Sequence, residues 1–447
     1  MHKNYPFNCR KFICTLLGFV FLHSNAQAFD LFEAWQAAIN YSADYAAAQS
    51  ERDVQKEQLP QTRAALLPQV NTNYVYQKQP SSLSSTTQTH GWNVQASQSL
   101  FDKSKWAQYQ QGKITASMAD WQLENVKEDL LFKVAKAYFQ VLLIEDKLVS
   151  IEKEKEAYAM QIKQAKALFN KGAATIVDTN EAQAGYEAAR AKKVSSMTDL
   201  LVAQNNLANI TGLDPKQIKR LKHTDFGDLL GKTSKSDWLM LAQKNNPEWQ
   251  QQKLALQNAK QAYIAAKAEN WPKLTLNGGY QDNHQIQQFY GMDHGTRSKG
   301  GIVTVQLSMP LFSGGMIHSK IKEAAAKEQQ NKFQLIATER KIELNIDQAY
   351  QTTLGNLYQI QAQQQLLKAN AVKLQATQLG RKVGIRSNLD ELQALQAKAD
   401  AEQKLAEAQY SYITTYIQLL QSAGVLTQMN EQKKLHNCFI KYIYYLI

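Results

Sequence analysis

The chain has 447 residues, a formal net charge of +12 at pH 7 and three cysteines. It has only 8 prolines and 20 glycines, and its long middle segments are rich in Ala, Gln, Lys, Leu and Glu, a composition typical of long helices and coiled coils. Cys9 and Cys14 precede residue 29, which excludes a framework of internal disulfide bonds for the chain that follows. The basic charge fits solvated helix faces, anionic lipid or anionic cargo.

The first residues have the pattern of a secretory signal peptide, at 1–28. Three basic residues precede an apolar segment at 12–22, and the small residues Ala26 and Ala28 fit a cleavage site. The apolar segment is shorter than the roughly 20 residues that a membrane-spanning helix needs. We therefore expect an exported protein whose mature chain begins near Phe29, and nucleic acid is not an expected partner.

Two parts of the chain repeat one order of landmarks. Gly172 and Asp178 recur as Gly384 and Asp390 at a constant offset, and Pro68 and Gly212 have counterparts in Pro272 and Gly424. A conserved order at a nearly constant offset predicts two structural repeats of one plan. The predicted division is a first repeat at 29–213, a linker at 214–235, a second repeat at 236–425 and a C-terminal tail at 426–447.

Each repeat predicts a helix, two strands, a long helix and a further helix. In the first repeat, an alanine-rich helix is expected at 29–66 with a kink at Pro60. Apolar and polar residues then alternate with a period of two. This alternation predicts strands at 70–76 and 92–96, joined by a polar loop at 78–90.

The second repeat continues with the same pattern. Alternation predicts strands at 274–280 and 303–309, with a polar loop at 282–299 between them. Long helices are predicted at 104–169 in the first repeat and at 316–383 in the second. At 1.5 Å per residue, each would be roughly 100 Å long, a length that indicates a coiled coil.

The four predicted strands each have one apolar and one polar face. Such alternation is typical of a membrane barrel wall, in which Val70 and Leu276 would face lipid and Asn71 and Thr275 would face the lumen. Four strands cannot close a barrel, and an open sheet edge cannot lie in lipid. Three chains would give twelve strands. Two soluble hairpins that cap the helices are the alternative. The aromatic residues that suit a membrane interface are Tyr74, Tyr76, Trp92 and Tyr280.

Several local motifs, taken in order, carry a resemblance to a known family. They are the segment 66–69 before the first strand, the segment 98–106 before the long helix, the segment 137–142 inside that helix, and the duplicated Gly-x5-Asp motif. By these motifs the chain, over nearly its whole mature length, resembles the TolC family of outer-membrane efflux proteins.

The resemblance implies a fold and a function. The fold would be mainly α with a membrane β-barrel: a homotrimer whose twelve-stranded barrel in the outer membrane continues into a coiled-coil tunnel through the periplasm. The function would be that of a passive exit duct for tripartite efflux or type I secretion, in contact with outer-membrane lipid. A periplasmic adaptor protein and an inner-membrane transporter, of ABC or RND type, would be its partners and its source of energy.

The resemblance also implies a gate at the periplasmic end. Asp178 and Arg386 match family residues that hold the tunnel mouth shut, and Asp390 matches a ring of acidic residues at the constriction. The chain differs from the family at Arg381, where a gate tyrosine is expected, and at Gln393, where a second acidic residue is expected. Helix capping is the alternative role for the aspartates, since the first turn of a helix favours negative charge.

No other motif indicates chemistry. Gly231 begins a Gly-Lys-Thr sequence, but Phe226 replaces the first glycine of a phosphate-binding loop. His284 and His294 share a predicted loop without a recognised metal-binding spacing. We therefore expect no enzymatic activity, no cofactor and no metal. A trimeric coiled-coil stalk or adhesin with a small membrane anchor is the alternative function, and the apolar tail has no predicted role.

Overall fold

The computed structural model describes residues 28–81, 85–220, 228–231, 233–289 and 292–427. The predicted signal segment before Ala28 and the predicted tail after Thr427 lie outside the described residues. The elements are α1 (Leu31–Tyr41), α2 (Ala43–Lys56), α3 (Gln58–Ala64), β1 (Gln69–Ser81), β2 (Ser85–Phe101), α4 (Lys103–Asn170), α5 (Ile176–Thr211), a 3-10 helix (Pro215–Gln217), α6 (Lys235–Asn245), α7 (Pro247–Ala268), β3 (Lys273–Phe289), β4 (Met292–Ser308), α8 (Met316–Lys382) and α9 (Asn388–Ser422).

The N-terminal helix is divided where the sequence predicts one continuous element. The chain leaves helical geometry at Ser42, whose side chain accepts a hydrogen bond from the backbone N–H of Tyr45 and caps α2. A second break lies at Glu57. This break is the kink predicted from Pro60. The proline has no N–H to donate to the carbonyl of Lys56, four residues earlier, and its ring crowds that carbonyl.

The predicted long helices are confirmed, with 68 residues in α4 and 67 in α8. Their shared core lies along the middle of the helices, where Tyr138 and Leu131 of α4 and Tyr412 of α9 are fully buried. The indole of Trp35 on α1 donates to the carbonyl of Leu131 at 2.9 Å. The hydroxyl of Tyr138 donates to the carbonyl of Lys219 at 2.7 Å. Among the described residues, no helix is apolar over a length that could cross a membrane.

The sheet is antiparallel, with the strand order β1-β2-β3-β4. The polar loops predicted at 78–90 and 282–299 are wrong. In the first segment the strands run to Ser81 and from Ser85, and in the second they run to Phe289 and from Met292. Strand pairing there depends on backbone hydrogen bonds rather than on an apolar face. Within the described protomer the outer edges of β1 and β4 pair with no other strand, so the sheet can be extended at both sides.

The described residues of the predicted linker at 214–235 include several that contact the helical body. Ile218 forms a parallel bridge with Phe29, and the backbone N–H of Leu229 donates to the hydroxyl of Tyr412 at 2.7 Å. Leu229 and Leu230 are buried. The boundaries of the two repeats stay a prediction.

Candidate functional site at the helix-hairpin tips

Two helix hairpins end in tips with the same backbone geometry. We define the first tip as residues 168–179, where α4 ends and α5 begins, and the second tip as residues 380–391, where α8 ends and α9 begins. Gly172 has φ +71° and Gly384 has φ +81°, a left-handed conformation that favours glycine after a helix. In each tip the glycine N–H donates to the carbonyl three residues earlier, at 2.9 Å and 3.1 Å respectively.

The predicted aspartates cap the helices that follow the tips. One carboxylate oxygen of Asp178 accepts hydrogen bonds from the N–H and the hydroxyl of Thr175, both at 2.8 Å. Asp390 accepts from the N–H of Ser387 at 2.9 Å and from its hydroxyl at 3.0 Å. Both arrangements are capping boxes. The hydrogen bonds from Ser387, together with the nearby positive charge of Arg386, lower the pKa of Asp390.

Arg381 joins three helices. Its guanidinium forms an ion pair with Glu391 of α9 and donates from Nη2 to Oε1 of Gln164 on α4 at 2.7 Å. The side chain of Glu391 is 6% exposed and that of Arg381 is 21% exposed, so the pair is largely removed from water. Sequence reasoning identified Arg381 and missed Glu391 and Gln164.

A sequence signal for the missed pair exists in the repeat. Phe169 and Thr179 of the first hairpin lie at the offsets of Arg381 and Glu391. The second repeat therefore has two charges of opposite sign where the first repeat has neutral residues. Opposite charges that occur together in one repeat, and are both absent from the related positions of the other, indicate a contact.

Arg386 lies exposed on the second tip, with its side chain against Gly380. A Cβ atom at Gly380 would lie 2.8 Å from Cγ of Arg386, so the glycine makes room for the arginine. Within the described protomer no ion pair joins Arg386 to Asp178. The contact between the tips is made instead by Asn388, whose amide lies 3.5 Å from the carbonyl oxygen of Asp178.

A groove of about 410 Å³ on the second tip brings several predicted residues together. Arg386, Asp390 and Gln393 line it, with Lys373 and Thr377 beside them. Asp178 lies on the neighbouring tip, and Arg381 does not line the groove. The groove has positive, negative and neutral polar groups.

The structure places the two loop histidines on opposite faces of the sheet. His284 stacks on His90 of the adjacent strand, with ring centroids 5.3 Å apart. His294 pairs in register with Gln287, which points to the other face because neighbouring side chains alternate. Among the described residues, no group of three or more His, Cys, Asp or Glu side chains is placed to hold a metal ion.

Comparison with known proteins shows a family to which the chain is similar. The profile of a family described as outer membrane efflux protein matches residues 34–213 and 238–425. The chain is 28% identical to outer membrane protein TolC of Vibrio cholerae over 423 residues, which covers 94% of this chain and 95% of the relative. It is 26% identical to proteases secretion protein PrtF of Dickeya chrysanthemi over 422 residues, covering 91% of this chain and 90% of that one.

A solved structure of CusC, a protein that forms a transmembrane channel, has the same fold. The TM-score is 0.77 at 19% identity, over 88% of this chain and 92% of that one. In this fold the four strands of one protomer supply one third of a trimer's twelve-stranded barrel, and the long helices supply the tunnel. The stalk or adhesin alternative is set aside. The chain belongs to the outer membrane efflux protein family, and it is an outer-membrane channel that extends into the periplasm and not an enzyme.

Proposed function

We propose that the chain is the passive outer component of a tripartite assembly whose other members are a periplasmic adaptor protein and an inner-membrane transporter of ABC or RND type. Helices of 68 and 67 residues reach roughly 100 Å from the barrel to the tips. The tips are then the part that meets the partners. Ile176 and Val177 on the first tip and Ile385 on the second expose more than half of their surface, which suits a contact with another protein.

The second tip holds the mouth of the tunnel closed in this proposal. The observation that carries it is the ion pair between Arg381 and Glu391, with the added hydrogen bond to Gln164. These contacts tie α8, α9 and α4 together near the point where three protomers converge. A buried ion pair is costly to break from one side, because the remaining charge is left without a partner. The closed arrangement is therefore stable until all the contacts open together.

Asp178 and Arg386 supply a further link between protomers in this proposal. The capping box uses one carboxylate oxygen of Asp178, and the exposed guanidinium of Arg386 can donate to the other oxygen across a protomer boundary. An exposed pair contributes only about 0–1 kcal/mol, but a trimer repeats it three times. Asp390 and Gln393 would line the constriction, with one acid per protomer and a weaker preference for cations than two acids would give.

Single-channel recording in planar bilayers tests this function. The purified wild-type trimer should conduct weakly, and the double variant Asp178→Ala with Arg386→Ser should conduct more than either single variant. Asp390→Ala should reduce block by polyvalent cations without opening the mouth. A trimer that never conducts, even as the double variant, would contradict the channel function. If the double variant conducts as the wild type does, helix capping is the only role that remains for Asp178.

Recovery of partners tests the assembly. Cross-linking in living cells from a probe placed at exposed Ile385 should capture an adaptor protein and, through it, an inner-membrane transporter. A matched probe at exposed Val303 on the sheet should capture neither. The class of the transporter, ABC or RND, would then assign the route by which cargo arrives. Equal capture from both positions would contradict the role of the tips.

A further inference from the structure

One face of the sheet changes from apolar to cationic along its strands. Counted from the ends that join the helices, this face begins with residues such as Val70, Leu276 and Val305. Farther along it carries Trp92 and Tyr280, whose rings lie 5.6 Å apart. A strand crosses the hydrocarbon layer in about 9–11 residues, whereas β2, β3 and β4 each have 17 residues. The part of this face beyond the aromatic pair therefore emerges from the lipid core on the side away from the helices.

The strand register gathers basic side chains at that level. His284 pairs directly with His90 on one side and with Arg297 on the other. In the adjacent row, Asp282 pairs with Lys299. Directly paired residues of antiparallel strands share a face. We name His90, His284, Arg297 and Lys299 the outer cationic cluster.

Asp282 anchors the cluster rather than neutralising it. Nε and Nη2 of Arg297 donate to the two carboxylate oxygens of Asp282 at 2.8 Å and 2.6 Å. The Asp282 side chain is only 11% exposed, whereas that of Arg297 is 55% exposed. A guanidinium has five N–H donors, and the carboxylate occupies one on each of these two nitrogens. The others face outward in a fixed orientation with nothing in the described protomer bound to them.

The two histidines add imidazole nitrogens to this surface. Their rings are stacked and nearly parallel, at an interplanar angle of 5°. The side chain of His284 is 42% exposed, and its Nε2 lies 3.9 Å from Oδ1 of Asp282. With Arg297 and Lys299 beside the single carboxylate of Asp282, the cluster has one positive charge in excess.

We propose that the outer cationic cluster binds the phosphate group of a glycolipid in the outer leaflet of the membrane. Arginine matches phosphate geometry with paired N–H donors, and such charge-assisted hydrogen bonds are among the strong ones. A lipid is the expected source of the phosphate group, because Trp92 and Tyr280 mark the membrane interface next to the cluster. The acyl chains of the same molecule would then lie along the apolar part of the face, beside Val94 and Val303.

The test uses the purified full-length trimer in detergent and native mass spectrometry. The probes are lipid A that carries both phosphates and the same lipid after phosphatase treatment. Wild-type trimer should bind the phosphorylated lipid at least about tenfold more tightly, since hydrogen bonds to charged groups contribute about one to two factors of ten each. Equal binding of the two lipids would overturn the proposal.

Two variants remove the cluster in different ways. Arg297→Ala with Lys299→Ala should abolish the preference for the phosphorylated lipid. His284→Gln with Lys299→Ala keeps the ion pair to Asp282 and should reduce the preference about threefold, so it decides the matter if the first variant fails to assemble. The control, Lys327→Ala with Lys332→Ala on α8, loses the same charge from exposed positions and should bind as the wild type does.

Two further results would overturn the proposal. One is an unchanged preference in an assembled His284→Gln, Lys299→Ala trimer. The other is displacement of the lipid by an equal concentration of inorganic phosphate, which would make free phosphate the ligand. Assembly itself is checked by the heat-modifiable trimer band in electrophoresis.

Discussion

The first and second tips have the same backbone and different side-chain contacts. Both turn at a left-handed glycine, Gly172 or Gly384, and both restart a helix with a capping box completed by Asp178 or Asp390. These features are set by local geometry, because a chain that must reverse between two helices needs a positive φ and a cap. The repeated parts of the tips therefore build the hairpin and do not by themselves make a gate.

The contacts that differ are those that hold the tips to the rest of the tunnel. The second tip ties Arg381 to Glu391, whereas Phe169 and Thr179 occupy the related positions of the first tip, where Phe169 is 44% exposed. The comparison teaches that the two tips share a backbone, and that the second has an ion pair at positions where the first has two uncharged residues. We propose that the second tip is the element whose opening is controlled.

The largest expected effect comes from breaking the ion pair on one side. Arg381→Ala leaves Glu391 buried without a partner, which costs up to about 3–5 kcal/mol for a fully buried pair and less here because Arg381 is partly exposed. Hydrogen exchange at the start of α9 should accelerate strongly. The matched variant Phe169→Ala removes a half-exposed side chain and should change exchange in α5 much less. Equal acceleration of exchange at both tips would contradict the difference between them.

A double variant tests whether an unpaired buried charge causes the loss of stability. Replacing both Arg381 and Glu391 with Met removes the charges together, which is often neutral or stabilising. Thermal stability should return to near the wild-type value. If the double variant is as unstable as Arg381→Ala, the stability of the second tip depends on something other than an unpaired charge.

The glycine substitutions should affect both tips alike. Gly172→Ala and Gly384→Ala each force a Cβ into the left-handed region, at a cost of about 1–2 kcal/mol, while the space around both positions is open. Limited proteolysis should therefore cut both altered tips faster, by similar factors. A large effect at one tip alone would show that the two backbones are not equivalent.

Acid should loosen the second tip in a defined range of pH. The pKa of Asp390 is lowered from 3.8 by the hydrogen bonds from Ser387, so the folded state binds fewer protons than the unfolded state. The cap's contribution is present above pH 3.8 and is lost as the pH falls through the lowered pKa. The protection of amides at the start of α9, relative to their intrinsic exchange rate at the same pH, should fall below about pH 3.8. Asp390→Asn should remove this dependence on pH. A fall in protection that persists in the variant would assign it to another group.

The smallest effect is expected at the constriction. Gln393→Glu supplies the second acid per protomer that the family pattern has, and the related position of the first hairpin is already acidic, at Glu181. Block of the conducting channel by a trivalent cation should become severalfold tighter, because like charges around one constriction add their fields. Block that is unchanged would place Gln393 outside the ion path.

The sequence predicted the backbone of the tips better than their contacts. Glycine and aspartate act through local geometry, so Gly384 and Asp390 were identified from spacing alone. Glu391 was missed because its partner lies on another helix, and only the comparison between repeats could have suggested it. The division of the N-terminal helix was missed because Ser42 is a cap within a composition that favours helix throughout.

The strands show the same limit. Their starts were predicted at 70–76 and 274–280, where apolar and polar residues contrast. The far parts of the strands were predicted as loops because both faces are polar there, so the period-two signal is lost although the backbone ladder continues. For the same reason the partner of His284 was not identifiable, since register between β2 and β3 joins it to His90.

The most direct test of the central claim is the single-channel conductance of three purified trimers: wild type, Arg381→Ala and Phe169→Ala. A mouth held closed by the second tip predicts low conductance in the wild type, a clear increase in Arg381→Ala and little change in Phe169→Ala. Equal conductance in all three trimers would contradict the claim.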